Sequence, residues 1–426
     1  MSSVTSWSNS WIGPKNHMLT VEDARSRVLA SVAAVGTEEV LVADALGRVA
    51  AQGLSAPHGL PRFDNSAMDG YAVKLEDCGA ASPAAPAELL VVGEVRAGDP
   101  GDVEVGPGAA VRIMTGAPIP PGADAIVPVE DTEESGDRVL IKAAPFPGAH
   151  VRRAGGDVLE GSVVVGAGTV LGPGEMALIA SLGLSPLSVY RRPRVSIVVT
   201  GDELVSPEEV PGPGQIRNSN SVALQALVRA AGGEPLVFRS VPDGLDETRA
   251  AFAGAAKEAD LVISSGGVSM GRYDFVRDVI GELGRIDLWR VAMQPGKPVV
   301  LGAIGDVPFL GLPGNPVSIH IGFEQFVRPA LKRMQGMSAV LRPTLRARLT
   351  EALDKRPGRL NFVRVTLARD DAGWAATPTG PQGSHIQSSL LNCHGVARFE
   401  IDESHLDPGS DVVVEVWSLP EEETVT

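Results

Sequence analysis

The segment Ser264-Ser265-Gly266-Gly267-Val268-Ser269-Met270-Gly271 joins an apolar run, Leu261-Val262-Ile263, to a stretch with amphipathic helical spacing at residues 273–283. A loop of small residues between a strand and a helix leaves backbone N–H groups free, and the helix dipole adds partial positive charge. Such a loop can hold an anion, usually a phosphate. An ordinary glycine-rich turn has the same composition, so the neighbours decide. Asp274 stands three residues past the last glycine. Other apolar runs end in comparable clusters: Thr200-Gly201-Asp202-Glu203 after 195–199, Pro242-Asp243-Gly244 after 236–241, Met293-Gln294-Pro295-Gly296-Lys297-Pro298 after a run near Ile286, and Pro313-Gly314-Asn315 after 307–310. These residue types suit a hard cation and a phosphorylated ligand. Glu203, Asp243 and Asp274 can share Mg²⁺, which favours carboxylates and keeps several waters. Glycine loops and Lys297 suit phosphate oxygens. A metal on a phosphoanhydride stabilises charge as the bond breaks. Singly, each cluster has a structural account: Asp202 or Asp243 capping a turn, Lys297 on the surface. Their gathering on one edge points to a ligand site.

For the clusters to share an edge, strands must alternate with helices, and residues 191–338 do so. Runs at 195–199, 236–241, 261–263, 286–291, 299–303 and 307–310 predict strands. Residues 221–231, ending at Gly232-Gly233, and 245–259 predict helices. Asn315 is the expected cap of a long helix running to Met334, with Pro316 at its first position. The pattern is that of a doubly wound α/β domain, in which ligands bind at the carboxyl ends of strands near a topological switch. Residues 53–150 alternate short β-like runs with Gly/Pro turns and predict a β-rich domain. Thr20 starts a helix with Val21, Ala24, Val28 and Val32 on one face, and Pro173 precedes a short helix at 174–182. Residues 18–52 and 151–190 therefore form a helical and extended linker domain. Short strands after Pro343 predict a small β barrel at 339–420. The expected fold class is multidomain α/β.

The chain has 426 residues, too many for one core. Its net charge of -15 argues against non-specific binding to nucleic acid or an anionic membrane. An anionic small substrate stays open, because a local field can oppose the total. Two distant cysteines, Cys78 and Cys393, give no disulfide framework and fit a reducing cytoplasm, the expected location. No apolar run reaches the ~18 residues of a membrane span. Residues 1–17 lack the apolar core of a secretory signal and read as a loose leader.

Other polar segments lie outside the α/β pattern. Phe63-Asp64-Asn65-Ser66-Ala67-Met68-Asp69-Gly70-Tyr71-Ala72 makes turns, or presents a polar lip to a partner domain. Arg152-Arg153-Ala154-Gly155-Gly156-Asp157 is a second such element. Gly380-Pro381-Gln382-Gly383-Ser384-His385 with Ser388-Ser389 is hydroxyl-rich, and Arg359 and Arg364 flank Phe362. Alone, each is more often surface than site.

The segments at 63–72, 200–204, 264–271, 295–298 and 312–318 occur in one order. With them the chain resembles the molybdopterin molybdenumtransferase family, the molybdenum insertases that include the E domain of gephyrin, from residue 18 to residue 418. The resemblance implies an elongated four-domain homodimer that inserts molybdate into adenylyl-molybdopterin. It implies Mg²⁺-dependent hydrolysis of the adenylyl phosphoanhydride, releasing AMP and molybdenum cofactor. Functional acids then fall on Asp69, Asp157, Glu203, Asp243 and Asp274, with Arg364 and Ser384 from the C-terminal region. Glu203, Asp243 and Asp274 become the metal ligands. Substrate contacts fall on Thr200, Gly201, Ser265, Gly266, Gly267, Ser269, Gly271, Arg290, Pro295, Gly296, Lys297, Pro313, Gly314 and Asn315. Molybdate goes to Arg and Ser groups near the dithiolene sulfurs, and the lip carrying Asp69 meets the α/β site of a second chain. The protein partner implied is the molybdopterin adenylyltransferase; nucleic acid and membrane are not expected.

Two departures stand out. Gln294 occupies the first lysine of the family's Lys-Pro-Gly-Lys signature, and Arg290 replaces a lysine upstream. Arginine keeps the charge and can chelate an oxyanion; glutamine does not keep it. Compensation is expected from Arg290, Lys297 or Arg364. Competing classes are a non-enzymatic scaffold, against which the retained carboxylates argue, and a molybdopterin adenylyltransferase, which lacks the Asp69 and Ser384 regions. Tungstate and molybdate are too alike in size and charge to be separated by sequence.

Overall fold

The threonine at position 20 caps the first helix, α1 (Val21–Ala30): its hydroxyl accepts the Asp23 amide at 3.0 Å, and Glu22 and Asp23 oppose the helix dipole. The structure, a computed structural model, describes residues 18–237, 241, 244–267 and 275–421, and of Asp287, Leu288 and Trp289 the backbone alone. The described chain divides into two compact units. Val40–Leu46 and Gln52–Leu187 form the second; the rest forms the first. The segments expected as one linker domain are thus shared between the two.

The first unit contains the α/β domain. Its elements are β1 (Arg194–Val199), α2 (Ser219–Ala230), β2 (Glu234–Val237), α3 (Leu245–Glu258), β3 (Leu261–Ser265), α4 (Phe275–Leu283), β4 (Gly284–Arg290), β5 (Pro298–Ile304), β6 (Val307–Leu312) and α5 (Pro316–Gly322). The sheet order is β2-β1-β3-β6-β5-β4. β2, β1, β3 and β6 run parallel, while β5 is antiparallel to both its neighbours. The chain leaves β1 through α2 to the edge strand β2, then crosses back through α3 to β3 on the other side of β1. The switch therefore lies between β1 and β3. Both faces of the sheet are covered, which is why these strands read as continuous apolar runs. Val195, Ile197 and Val199 pack with α1, α2 and α5; Val198 and Val262 pack with Phe252 of α3 and Val276 and Ile280 of α4. Each such side chain contributes about 1.5–3 kcal/mol by burial.

The helix expected from 316 to 334 is present but not uniform. A π turn, Phe323–Val327, separates α5 from a final α-helical stretch, Arg328–Met334. After it, strands Thr344–Leu349, Leu360–Asp370, Gly373–Pro378, Gly395–Phe399 and Asp411–Val416 close into a five-stranded barrel. Leu360–Asp370 bonds on both sides and completes the ring. The C-terminal barrel expected from the sequence is thus observed.

The second unit holds a six-stranded sheet in the order Ala125–Pro128, Gly70–Val73, Ala109–Ile113, Ala87–Val95, Arg138–Ile141, Thr132–Ser135. Residues on alternate faces, Tyr71 and Val73 against Ala72, feed two separate apolar clusters. Sandwiching also explains the Asp69-Gly70 pair. A Cβ at Gly70 would lie 2.0 Å from the Val127 carbonyl oxygen, so no larger residue can begin this strand directly after Asp69.

Candidate functional site

The crevice at the β1/β3 switch is built from backbone. Gly266 and Gly267 follow β3 in succession with φ of 89° and 68°, a left-handed pair that only glycine adopts cheaply. The turn brings the Gly266 amide to the Leu312 carbonyl at 3.1 Å, and Gly314 packs against Gly266. Thr200 at the end of β1 bridges Val241, and the Gly201 amide approaches the Val241 carbonyl at 3.3 Å. Asn220, in the first turn of α2, ties the loops together: its Nδ2 donates to Ser265 Oγ at 3.0 Å and to the Gly314 carbonyl at 2.7 Å. Thr200, Gly201, Ser265, Gly266, Gly267, Pro313, Gly314 and Asn315 are therefore neighbours, as their positions at strand ends imply. Glu203 adds a carboxylate here, folded back so that a Cβ on Gly201 would meet it at 2.6 Å.

A second loop approaches the start of α5. Pro295 and Gly296 are buried, whereas Gln294, Lys297 and Arg290 are exposed. A Cβ on Gly296 would stand 3.7 Å from the Ser318 carbonyl oxygen. Gln294 pairs with Asn361 at the edge of the barrel. Asn315 holds the N-cap position, but its side chain makes no cap bond. Instead its Nδ2 donates to Ser384 Oγ at 3.1 Å, and the Val317 amide donates to the Ser384 carbonyl at 3.2 Å. Asn315 thus links to the Ser384 loop, 69 residues away, and makes no side-chain bond to its own helix.

Arg364 is fully buried. Its Nε donates to Ser389 Oγ at 3.0 Å, and its Nη2 lies 3.4 Å from the Pro381 and 3.3 Å from the Gly383 carbonyl oxygen. Among the described residues its Nη1 has no hydrogen-bond partner. Burial pulls the guanidinium's pKa down, and nearby Cys393 opposes this. A buried cation with a spare donor beside a serine-bearing loop is a feature that favours an anion.

Three family models cover the chain in sequence: the MoeA N-terminal region (domains I and II) over residues 19–183, a probable molybdopterin binding domain over 196–333, and the MoeA C-terminal region (domain IV) over 346–417. Molybdopterin molybdenumtransferase 2 of Mycobacterium tuberculosis is 38% identical over 408 residues, covering 94% of this chain and 100% of that protein. The chain belongs to the molybdopterin molybdenumtransferase family. The molybdopterin molybdenumtransferase of Haemophilus influenzae is 36% identical, covering 94% of this chain and 99% of its own. The crystal structure of a molybdopterin biosynthesis MoeA protein from Pyrococcus horikoshii superposes with a TM-score of 0.81 at 34% identity, covering 94% of this chain and 99% of that one. The multidomain α/β architecture expected from the motifs is that of the family.

The second unit carries Asp69 and Asp157, the acidic residues expected outside the α/β domain. Asp69 is exposed, and its carboxylate accepts from the Thr115 amide at 2.7 Å and hydroxyl at 2.8 Å. The backbone bond first, then the hydroxyl, holds its pKa below the usual carboxylate range. Asp64 accepts from the Ala154 amide and pairs with Arg153 at 2.6 Å, pinning the loop that carries exposed Asp157. Asp243, Ser269, Gly271 and Asp274 lie outside the described residues, so two of three expected metal ligands do as well. Among the described residues no group of three His, Cys, Asp or Glu side chains gathers around a point. Glu203 offers the oxygen donor that Mg²⁺ takes. Sequence reasoning missed Thr115 and Asn220. The second had a signal: in Asn218-Ser219-Asn220-Ser221 only Asn218 is needed as cap, and it bonds the Ser221 amide at 3.0 Å.

Proposed function

We propose that this enzyme inserts molybdate into adenylyl-molybdopterin, with Mg²⁺-dependent hydrolysis of the adenylyl phosphoanhydride and release of AMP and molybdenum cofactor. Membership of the molybdopterin molybdenumtransferase family supports the reaction class. The observation that carries the finer reading is the meeting of three backbone loops with the Ser384 loop beside a buried arginine. The Gly266-Gly267 turn suits phosphate oxygens. Lys297, exposed at the same edge, adds charge as a mobile contact. Ser384 and Asn315 orient one side of the ligand through their mutual bond, and Arg364, buried behind the Ser384 loop, supplies positive field for an oxyanion.

Glu203, with Asp243 and Asp274, is the set we assign to Mg²⁺. When bound, the ion offsets the charge that builds as a phosphoanhydride breaks. We take the working unit to be a cytoplasmic homodimer that receives substrate from the molybdopterin adenylyltransferase. No described helix is long and apolar enough to cross a membrane.

The test uses the purified full chain with adenylyl-molybdopterin, molybdate and Mg²⁺, following AMP and the capacity of the product to reconstitute a cofactor-free molybdoenzyme. Molybdate- and Mg²⁺-dependent AMP release with active product is the expected result. AMP formation that ignores molybdate, or adenylylation of molybdopterin from ATP instead, would defeat it.

A further inference from the structure

The long helix touches the barrel at two places. Its first turn meets the Ser384 loop, as described. About two turns on, the π turn Phe323–Val327 presents two consecutive polar side chains, Glu324 and Gln325, both buried. A widened turn of this kind recurs at functional positions in helices. Gln325 Nε2 donates to Glu415 Oε2 at 2.6 Å, and its own oxygens accept from Arg25 of α1. Glu324 accepts two bonds from Arg342, at 2.9 and 3.1 Å, and Arg342 reaches the Trp417 carbonyl at 3.3 Å. Glu415 is also faced by Arg398 at 3.6 Å. The π turn thus fastens the helix to the last barrel strand through fully partnered, buried polar groups, which fix one geometry.

That fastening point and the site share one row of the barrel. Glu415 is directly opposite Val396, and Val396 is directly opposite Arg364. Directly opposite residues point to one face, and all three are buried. Arg364 in turn holds Pro381 and Gly383 on either side of Gln382, and Gln382 Oε1 accepts from the Arg364 amide at 2.9 Å. From the row Glu415–Val396–Arg364 we infer that Gln325 is a positioning residue for the reaction. Clamping Glu415 to the π turn sets where Arg364 holds the Ser384 loop against Asn315 at the other end of the same helix. The inference rests on the reading of the Ser384 edge as the molybdate side of the site.

The experiment compares the full-length wild type, Gln325→Leu and the exchange variant Gln325→Glu/Glu415→Gln, which preserves an amide-to-carboxylate bond and the contact with Arg25. Amide hydrogen exchange over residues 380–390 and at Val317 is read well below the melting point, beside the molybdate dependence of AMP release. Gln325→Leu is expected to speed exchange in the Ser384 loop and to lower kcat/KM for molybdate roughly tenfold, chiefly through KM. The exchange variant is expected to restore both. A lowered melting point with unchanged loop exchange and unchanged KM would overturn the inference, as would an exchange variant no better than Gln325→Leu. If the wild type releases no AMP, the proposed reaction fails, and the loop exchange still decides the positioning role.

Discussion

Two polar loops in this protein are held in opposite ways. In the first unit, the loop carrying Ser384 hangs on Arg364, a cation with no exposed surface. In the second, Asp69 is exposed and is itself held, by the amide and hydroxyl of Thr115. Each device uses a few hydrogen bonds around a turn. The difference is what replaces them. Water can re-pair the Thr115 amide if Asp69 is altered. Arg364 and Ser389 are buried, so water cannot simply replace the bond between them, and an unmet buried polar group costs about 1–3 kcal/mol. A bond of the same kind is therefore costly to lose in one region and cheap to lose in the other.

The sharpest break of this contrast is Arg364→Ala. It removes a buried side chain together with its bonds to Ser389, Pro381 and Gly383, so stability should fall by about 3 kcal/mol or more, with activity lost. A urea midpoint equal to that of the wild type would refute the contrast at its stronger end. Asp69→Asn should do the reverse: turnover down roughly tenfold or more, with the urea midpoint unmoved. Thr115→Val, which deletes one of the two bonds to Asp69, should follow it more weakly. A midpoint shift as large as that of Arg364→Ala would put Asp69 among the structural residues.

Between these extremes lies Asn315→Ala. It breaks the single side-chain bond to Ser384, worth about 1 kcal/mol net, and should raise KM for molybdate roughly fivefold at constant kcat. An unchanged KM would remove Asn315 from the site. Smaller still is Gln294→Lys, at an exposed position whose backbone pairs with Asn361. Restoring the family's charge should improve molybdate use a few-fold without altering stability. Loss of molybdate use in that variant would give Gln294 a role of its own.

How far the sequence carried follows from where each signal comes from. β1, β3 and β6 were legible because continuous apolar runs stop abruptly at glycines, and the crevice loops came with them. The antiparallel β5 had a signal that alternation obscured: only Gly305-Asp306 separates it from β6, a hairpin spacing, with Gly305 at φ 56°. The burial of Arg364 was not legible, because local sequence treats a charge as exposed and the partners that hold it are 17 to 25 residues away. Asn315 looked like a cap for the same reason. The π turn left no trace, since Phe323 to Val327 keep ordinary helical composition. What sequence misses here is long-range hydrogen bonding, and that is where the site acquires its geometry.

His405 gives the smallest effect and separates exposure from location as the cause of the contrast. It belongs to the barrel's unit, yet it is exposed, with Nδ1 2.7 Å from Asp354 and Nε2 3.1 Å from Asp407. The Asp354 bond first, then Asp407, raises its pKa above the ordinary 6.5. A raised histidine stabilises fully below the unfolded pKa and loses that contribution as pH climbs through the folded one. The midpoint difference between wild type and His405→Gln should therefore be present near pH 6 and shrink towards pH 8, by an amount small beside that of Arg364→Ala. A large difference would mean that membership of the barrel, rather than burial, sets the cost of losing a polar contact. A difference that grows with pH would reverse the sign of the coupling and remove His405 from the barrel's stability altogether.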